Sequence, residues 1–499
     1  MEHSNPGEKE QRQQLFINVN INADLFDEHG NKAEGEETMR KKWRIGIMLL
    51  TIMSLLSGCF GKKQVLEPLQ AGTIKVVYQD EDAFYRDYGN FFKMKYPDID
   101  IEVISQTELF AKFGQGESFD FDEERRKLLD KYKPDVLLLD EGMFEVLAQE
   151  GKLYNIEAAI LQDKYDIEGF MSGLIDRIRA KGNGKLYGLA PYFETTVLYY
   201  NREIFKEHHI ELPRNKMSWK ELIDLAGRFS NIGSGDDQVY GFYQDYGGPE
   251  QLMYEIVASS GLRLFDAKAE KLLINSDGWK EAIKLATDAA RNKSVYIPPQ
   301  DENGNRLSQG YELFFKGQAA MMFHRPWFTR ELKDRPLYEE TLKKIDWDIV
   351  TTPVDPSTPD ESANVRLSEI YAVAADSQNK RAAWELVKFV NGTDMAQATS
   401  KTNDGRLPTR IDYFKELEGR STEAFYLLKP KAVSSYEGLW GNKNVPEDFI
   451  GLFRPLLSEA LQAIIDNQKT LDEAIAELEE KGQEALLKAH EAKKAKKAS

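Results

Sequence analysis

Three polar side chains follow runs of β-branched and aliphatic residues, at points where strands are expected to end. Asp82, Gln106 and Glu141 each come within a few residues of the end of such a run. Ligands of α/β proteins bind outside the carboxyl ends of parallel strands, so we expect these groups to face a ligand cleft. Their oxygens can accept hydrogen bonds from hydroxyl groups. The alternative is ordinary exposed surface, the default for acidic residues.

A second set of candidate residues lies further along the chain. Glu194 is a carboxylate that can accept hydrogen bonds from two adjacent hydroxyls, and Tyr243 and Asp245 follow a later strand. The flat indole of Trp327 can stack on the C–H face of a pyranose ring, although burial in a core is the ordinary fate of tryptophan. These residues are therefore candidate ligand contacts.

The remaining charged groups restrict the chemistry. Arg325 and Arg406 could pair with an acidic ligand group or, more commonly, with neighbouring carboxylates. Six histidines and one cysteine provide no set of metal ligands at useful spacing, so no metal is expected. Glu194 and Asp245 could serve as the acid and base of a glycosidase or lyase if they lay about 5 to 10 Å apart. No nucleophile with its activating base is recognisable, which favours binding over catalysis.

Strands and helices alternate through the first part of the chain. Strands are predicted at 73–78, 99–105 and 135–139, with helical patterns between them. The third run is apolar throughout, as expected of a strand that is buried on both faces. Alternation of this kind predicts a parallel sheet with right-handed crossovers, and therefore an α/β fold class.

A second run of alternation follows residue 229 and predicts a second α/β lobe. Its strands are predicted at 241–243, 319–323 and 347–350; further strands are predicted before it at 197–201 and in the last third of the chain at 370–374. Helices are predicted at 142–151, 219–229, 249–260, 276–292, 307–316 and 380–391. Ser218 and Glu221 have the spacing of a capping box at the start of one of these helices.

The single cysteine, Cys59, ends a segment with the pattern of a secretory signal. Four basic residues within 39–44 precede fourteen uncharged residues at 45–58, fewer than the roughly 20 that a membrane-spanning helix needs. The sequence Leu-Ser-Gly-Cys at 56–59 resembles the bacterial lipobox, which implies signal removal and lipid modification of Cys59. The alternative is a buried apolar cysteine.

The regions flanking this signal, residues 39–58, have no packing pattern of their own. Residues 1–38 are interpreted as an untranslated or disordered extension, because a signal should begin the chain. Residues 59–71 are interpreted as a short tether between the lipid and the globular body. Over the whole chain 83 acidic residues outnumber 66 basic ones, a formal charge of -17 that argues against nucleic-acid binding.

Several motifs of the mature chain resemble, in order and spacing, those of the extracellular solute-binding proteins, family 1. These are the maltodextrin-binding-like receptors of bacterial ABC importers. The resemblance rests on GKLYGLAP at 184–191, LYYN at 198–201, FKGQAAM at 315–321 followed by Pro326-Trp327, YAVA at 371–374 and GRLP at 405–408.

This resemblance implies a clamp of two lobes that closes around its ligand. The first lobe is expected to combine 72–190 with 366–405, and the second to combine 191–365 with 406–499. The hinge crossings are then expected near Pro191, Asn364 and Arg406. The resemblance also implies that the aromatic residue at Trp327 faces the cleft.

The resemblance further implies a lipid-anchored receptor that delivers a carbohydrate, expected to be an oligosaccharide, to ABC permease subunits. Such a receptor is expected to be monomeric, to need no cofactor, and to reside on the outer face of a Gram-positive cell membrane. Two alternatives stay open: a secreted carbohydrate-active enzyme, and a structural surface lipoprotein with a vestigial cleft. Other members of the family take up polyols and phosphodiesters.

Overall fold

Two β-sheets, each flanked by helices, organise the residues that the computed structural model describes. Those residues are 66–113, 120–244, 248–299, 311–339, 341–401, 405–432 and 439–498. The predicted signal, Cys59 and Asp245 lie outside them. The mixed α/β architecture confirms the predicted fold class.

The first sheet has five strands, in the order Ile99–Ser105, Gly72–Tyr78, Val136–Leu139, Ile370–Val373 and Gly188–Leu189. The three strands from the first part of the chain are parallel, as predicted. Ile370–Val373 is antiparallel to both of its neighbours, which differs from the prediction of a parallel sheet. The strand begins shortly after the chain crosses at Arg366, so it enters the sheet at the edge where the parallel strands end.

The second sheet has four strands, in the order Tyr240–Tyr243, Ala319–His324, Val197–Asn201 and Trp347–Thr351. Only the first pair is parallel; the other two pairs are antiparallel. The central Val197–Asn201 strand is buried along its whole length, because the sheet is covered on both faces.

Short two-stranded pairings complete the β structure. Their strands are Tyr192–Phe193 with Leu407–Pro408, Glu361–Ser362 with Lys429–Pro430, and Glu416–Leu417 with Arg420–Ser421.

The helices of the first part of the chain surround the first sheet. They are Glu81–Phe84, a π-helical turn Tyr85–Gly89, Asn90–Lys95, Thr107–Phe113, Phe121–Tyr132, Glu141–Gln149, Glu157–Asp163 and Leu174–Lys181.

The later α-helices follow the Val197–Asn201 strand along the chain. They are Arg202–Glu207, Trp219–Gly227, Pro249–Ser259, Asp277–Arg291, Glu312–Phe315, Phe328–Tyr338, Lys380–Val390, Thr393–Thr399, Glu423–Tyr426, Asp448–Ile465 and Leu471–Ala498. The predicted capping box is present, since Ser218 and Glu221 each bond the backbone of the other. No helix within the described ranges is both long enough and apolar enough to cross a membrane.

Three chain segments join the two sheets, and they bond to one another. Tyr192–Phe193 pairs with Leu407–Pro408, and Glu194 exchanges two backbone hydrogen bonds of 2.9 Å with Arg366. Thr409 extends this contact, because its backbone N–H donates to the carbonyl of Pro191 at 2.9 Å. We call these three segments, 190–196, 363–366 and 405–409, the hinge segments.

The residues that follow the third hinge segment return briefly to the first sheet's side of the molecule. The Arg410 guanidinium donates to the carbonyl of Asn391 and to the Asp166 carboxylate, at 2.7 and 3.1 Å. Arg410 is almost fully buried, so this contact is part of the packing there.

The predicted tether, 59–71, contains a residue that packs on the globular body. Leu66 is buried, and Gln162 on the Glu157–Asp163 helix holds its backbone through two hydrogen bonds. The amide of Leu66 donates to Gln162 Oε1 at 2.9 Å, and Gln162 Nε2 donates back to the Leu66 carbonyl at 3.0 Å. Leu66, inside the 59–71 segment that was interpreted as a tether, is therefore part of the packed body.

Candidate functional site

A cavity of about 830 Å³ opens beside the hinge segments. Hinge residues 194–196 and 363–366 form one part of its wall, and one face of the Pro249–Ser259 helix forms another. The rest comes from the end of the Ala319–His324 strand with the turn after it, at 323–327, and from residues 439–440. Of the described residues that line it, none comes from the strand ends of the first sheet.

The Pro249–Ser259 helix, which we call the cavity helix, has two distinct faces. Its apolar side chains are buried in the core: Leu252, Met253, Ile256 and Val257. The residues at positions that lie three and four apart line the cavity: Gln251, Tyr254, Glu255 and Ala258. Side chains at this spacing share one face of a helix, so the helical period itself separates core from cavity.

Trp327 stands at the edge of the cavity, 39% exposed, immediately before the Phe328–Tyr338 helix. The ring of His324 meets its indole edge to face, with 4.3 Å between the ring centres. His324 is itself stacked on Phe328 at 4.4 Å, and its Nδ1 accepts a 2.9 Å hydrogen bond from the backbone of Arg325. These contacts hold the indole in a fixed orientation while leaving part of it open.

The third hinge segment packs closely against this tryptophan. A Cβ added at Gly405 would lie 2.7 Å from the Cβ of Trp327, and the φ of Gly405 is +87°. Both the close approach and the left-handed backbone require glycine here. The glycine of the GRLP motif thus allows the hinge to contact the cavity aromatic directly.

Two further aromatic side chains line the cavity. Tyr254 of the cavity helix and Trp440 meet edge to face, with ring centres 5.5 Å apart. Burial raises the pKa of the Tyr254 hydroxyl above its ordinary value, so this group stays protonated and able to donate. Aromatic faces combined with a few polar groups suit a ligand with apolar ring faces and hydroxyl edges.

The charged residues of the cavity are held in two ways. Glu194 pairs with Arg325, with 2.9 Å between Oε2 and Nη1, and both side chains are partly exposed. Glu255 accepts hydrogen bonds from the amides of Gln244 and Gln251. Burial raises the pKa of the Glu255 carboxyl to about 7, and the two amides offset only part of that effect.

Three of the nine predicted ligand-binding residues lie together in this cavity: Trp327, Glu194 and Arg325. Arg325 pairs there with a local carboxylate, the commoner of its two expected roles.

The three strand-end residues of the first sheet do not line the cavity. Asp82 is exposed in the first turn of the Glu81–Phe84 helix. Gln106 is buried, with 3% exposure. Glu141 forms a two-pronged ion pair with Arg177, at 2.5 and 2.9 Å, and also accepts from the amide of Leu367. The expectation that ligands bind outside the carboxyl ends of parallel strands does not predict the direction of each side chain there.

The remaining predicted residues lie elsewhere. Tyr243 is fully buried against Tyr296 in the core, because its strand places that side chain on the inner face of the sheet. The guanidinium of Arg406 lies 4.5 Å from the ring centre of Tyr192 within the hinge segments. Asp245 and the lipidation residue Cys59 fall outside the described residues.

Several cavity residues were not predicted from the sequence. They include His324, Gln244, Gln251, Tyr254, Glu255 and Trp440. A signal existed for the cavity helix, where polar and aromatic residues stand at 251, 254 and 255 opposite an apolar stripe. Trp440 follows a segment without periodicity, so nothing in the sequence indicated its direction.

Metal binding has no candidate in the described ranges. No group of three or more histidine, cysteine or acidic side chains lies close enough together there to hold an ion.

Comparison with known proteins identifies the family. Residues 124–421 match the profile of the bacterial extracellular solute-binding proteins, which is more than half of the chain. This chain belongs to the bacterial extracellular solute-binding proteins. The family resemblance seen in the sequence motifs is therefore confirmed. The members of this family are substrate-binding proteins rather than enzymes.

Individual members of the solute-binding family are distant in sequence. A maltooligosaccharide ABC transporter solute-binding lipoprotein of Streptococcus pneumoniae is 22% identical over 384 residues, 75% of this chain and 82% of that protein. A mannitol-binding protein of Pseudomonas aeruginosa is 21% identical over 278 residues, 54% of this chain and 57% of its own length.

A solved structure has the same fold. A sugar transporter protein from Rhizobium etli, crystallised in an open conformation, superposes with a TM-score of 0.59 at 20% identity. The match covers 83% of this chain and 99% of that one. The two-lobe solute-binding fold expected from the sequence is confirmed at this level.

Proposed function

We propose that this protein captures a carbohydrate, of oligosaccharide size, in the cavity beside the hinge segments and delivers it to an ABC permease. The observation that carries this proposal is the partly exposed indole of Trp327, fixed by His324 at the mouth of a cavity that also contains Tyr254 and Trp440. Aromatic faces in a wet cavity suit sugar rings, whose C–H faces are apolar and whose edges carry hydroxyls.

The clamp consists of the two sheet-centred lobes predicted from the sequence, 72–190 with 366–405 and 191–365 with 406–499. The hydrogen bonds of Arg410 to Asp166 and Asn391 support moving the last boundary a few residues later. A solute that touches both lobes stabilises the closed form by its differential affinity for that form. On closure the first-sheet strand ends approach the solute, and Asp82 is the exposed candidate among them.

The size of the cavity supports an oligosaccharide. A volume of about 830 Å³ lies in the upper range of ligand cavities and exceeds what a single sugar ring needs. The similar maltooligosaccharide lipoprotein of Streptococcus pneumoniae supports the same solute class.

The protein is proposed to act as a monomer attached to the outer face of a Gram-positive cell membrane through a lipid on Cys59. The lipobox-like sequence at 56–59 supports this attachment. Leu66 packs on the first lobe and follows Cys59 by seven positions, so the lipid would lie at most about 25 Å from that contact.

Calorimetry with the purified protein tests the function. The titrants are maltotriose, maltotetraose, mannitol and sn-glycerol 3-phosphate. We expect saturable binding of a maltooligosaccharide without appearance of products. Trp327→Ala should weaken that binding by about 10- to 100-fold, the equivalent of one lost aromatic contact in a cavity.

Tyr338→Ala is the matched control, because Tyr338 is an exposed aromatic residue at the far end of the same helix. It should bind as the wild type does. Release of shortened sugars would instead indicate the glycosidase alternative, and absence of any binding would indicate the structural-lipoprotein alternative. Equal loss in both variants would contradict the assignment of Trp327.

A further inference from the structure

Two carboxylates among the described residues line the cavity, Glu194 and Glu255, and they have different kinds of partner. Glu194 has a cationic partner in Arg325. Glu255 accepts from Nε2 of Gln244 and, at 3.2 Å, from Nε2 of Gln251. Both amides donate to the same oxygen, Oε1. Within the described part of the chain, Oε2 of Glu255 therefore has no hydrogen-bond partner.

The charged groups on and around the cavity helix are directed elsewhere. Glu250 faces Arg454 of the Asp448–Ile465 helix, with 3.9 Å between Oε2 and Nε. Lys431 donates to the carbonyl of Ser259 at 2.7 Å. Neither cation bonds to Glu255.

The titratable groups on the opposite walls have other contacts as well. His324 accepts from the Arg325 amide and packs on Trp327, and Arg325 pairs with Glu194. Arg366 belongs to a hinge segment and pairs with Glu194 through its backbone. Among the described residues, no cation compensates the charge of Glu255.

Oε2 of this carboxylate accepts no hydrogen bond from the described residues. Two neutral amides satisfy one oxygen, while burial disfavours the charged form and raises the pKa of the group to about 7. A hydroxyl of a solute in the cavity would supply a donor to Oε2, and a hydrogen bond to a charged acceptor is about twice as strong as a neutral one. Such a bond favours the ionised form.

We propose that Glu255 is a specificity-determining residue whose ionised carboxylate accepts a hydrogen bond from a solute hydroxyl, so that capture releases a proton from each molecule in which Glu255 was protonated. This inference deepens the proposed carbohydrate function and rests on it. The proton leaves Glu255 when the solute binds and returns when the solute is released to the permease.

The size of the effect follows from the fraction of Glu255 that is ionised. With a pKa of about 7, roughly one molecule in ten is ionised at pH 6 and nine in ten at pH 8. If the solute binds the ionised form, its apparent affinity rises by about tenfold between these two values.

The test measures maltotriose binding by calorimetry at pH 6, 7 and 8, in two buffers of different ionisation enthalpy. For the wild type we expect the Kd to fall about tenfold from pH 6 to pH 8, with net proton release near pH 7. Glu255→Gln keeps the shape of the side chain without its ionisation, so its Kd should not vary with pH and no proton should be released.

Glu250→Gln is the matched control, because Glu250 lies on the same helix but outside the cavity lining. It should keep the wild-type pH dependence. A wild-type Kd that is constant from pH 6 to 8 would overturn the proposal. A pH dependence that persists in Glu255→Gln would also overturn it and would assign the proton to another group, such as His324.

A second measurement keeps this proposal separate from the proposed function. Carbon-13 NMR of the solute-free protein follows each glutamate carboxyl through the pH range. A carboxyl that titrates between pH 6 and 8 and is missing in Glu255→Gln supports the proton-exchanging role even if maltotriose does not bind, a result that counts against the sugar only. Absence of such a carboxyl overturns the role of Glu255 whatever the sugar result.

Discussion

The strand ends of the first sheet and the cavity helix both carry polar residues, but they use them differently. Glu141 of the first sheet is occupied by Arg177 and by the amide of Leu367 next to a hinge segment. Among the described residues, Glu255 of the cavity helix has only amide partners, and it lines the cavity. Acidic residues near the cleft thus divide into those that hold the hinge and those available to a solute.

The buried ion pair gives the largest expected effect. Arg177→Ala leaves Glu141 without its partner in a buried setting, which costs about 3 to 5 kcal/mol of unfolding free energy. Denaturant unfolding measures this cost. Under conditions in which the variant is fully folded, its affinity for maltotriose should be unchanged. Arg126→Ala removes a more exposed pair with Glu150 and should cost under about 1 kcal/mol. A tenfold affinity loss in Glu141→Gln at unchanged stability would contradict the view that Glu141 holds the hinge and does not contact the solute.

The pH dependence of stability is the second effect. The pKa of Glu255 is about 7 in the folded protein against 4.5 as its ordinary value. Between these values the folded state holds a proton that the unfolded chain has released, so raising the pH destabilises the fold. We expect a loss of at most about 3 kcal/mol between pH 4.5 and 8.

Denaturant unfolding of wild type and Glu255→Gln at several pH values isolates this contribution. The difference between the two proteins should grow through that window and level off above pH 8. A difference that is the same at every pH would show that Glu255 is not a buried, proton-binding acid.

Trp440 gives a smaller effect on affinity. Trp440→Ala removes one aromatic wall of the cavity and should weaken maltotriose binding by about tenfold, or about 1.4 kcal/mol. Fluorescence titration measures it through the remaining tryptophans. Phe91→Ala, at a half-exposed aromatic residue near the first sheet, should have no such effect.

Asp82 gives the smallest effect. Because the proposed closure is the step that would bring Asp82 to the solute, we expect Asp82→Asn to weaken binding by about threefold, well under 1 kcal/mol. Calorimetry resolves such a change. If Asp82→Asn lost more affinity than Trp440→Ala, the strand ends of the first sheet, and not the cavity beside the hinge, would be the main site of solute recognition.

The regular elements could be predicted closely because their signals are local. The strand at 99–105 and the capping box at Ser218 follow from β-branched runs and from capping residues alone. The direction of Ile370–Val373 could not be predicted, since it depends on where a hinge segment returns to the sheet. Direction in a sheet is a property of the connection rather than of the strand's own residues.

The site was predictable only in part, for a similar reason. Glu194, Arg325 and Trp327 were identified because motifs mark their segments. Tyr243 lies in the core because both faces of its sheet are covered, so a side chain on either face of this strand is buried. The cavity helix carried a readable polar stripe, but only the tertiary fold brings that stripe to the hinge.

Solution scattering of the purified protein with and without saturating maltotriose tests the central claim of a clamp that closes on a sugar. We expect a smaller radius of gyration with the sugar, and the change should be half-complete at a free sugar concentration equal to the calorimetric Kd. In Trp327→Ala the same half-change should need at least about tenfold more sugar. A scattering profile that stays the same while calorimetry records binding would contradict it.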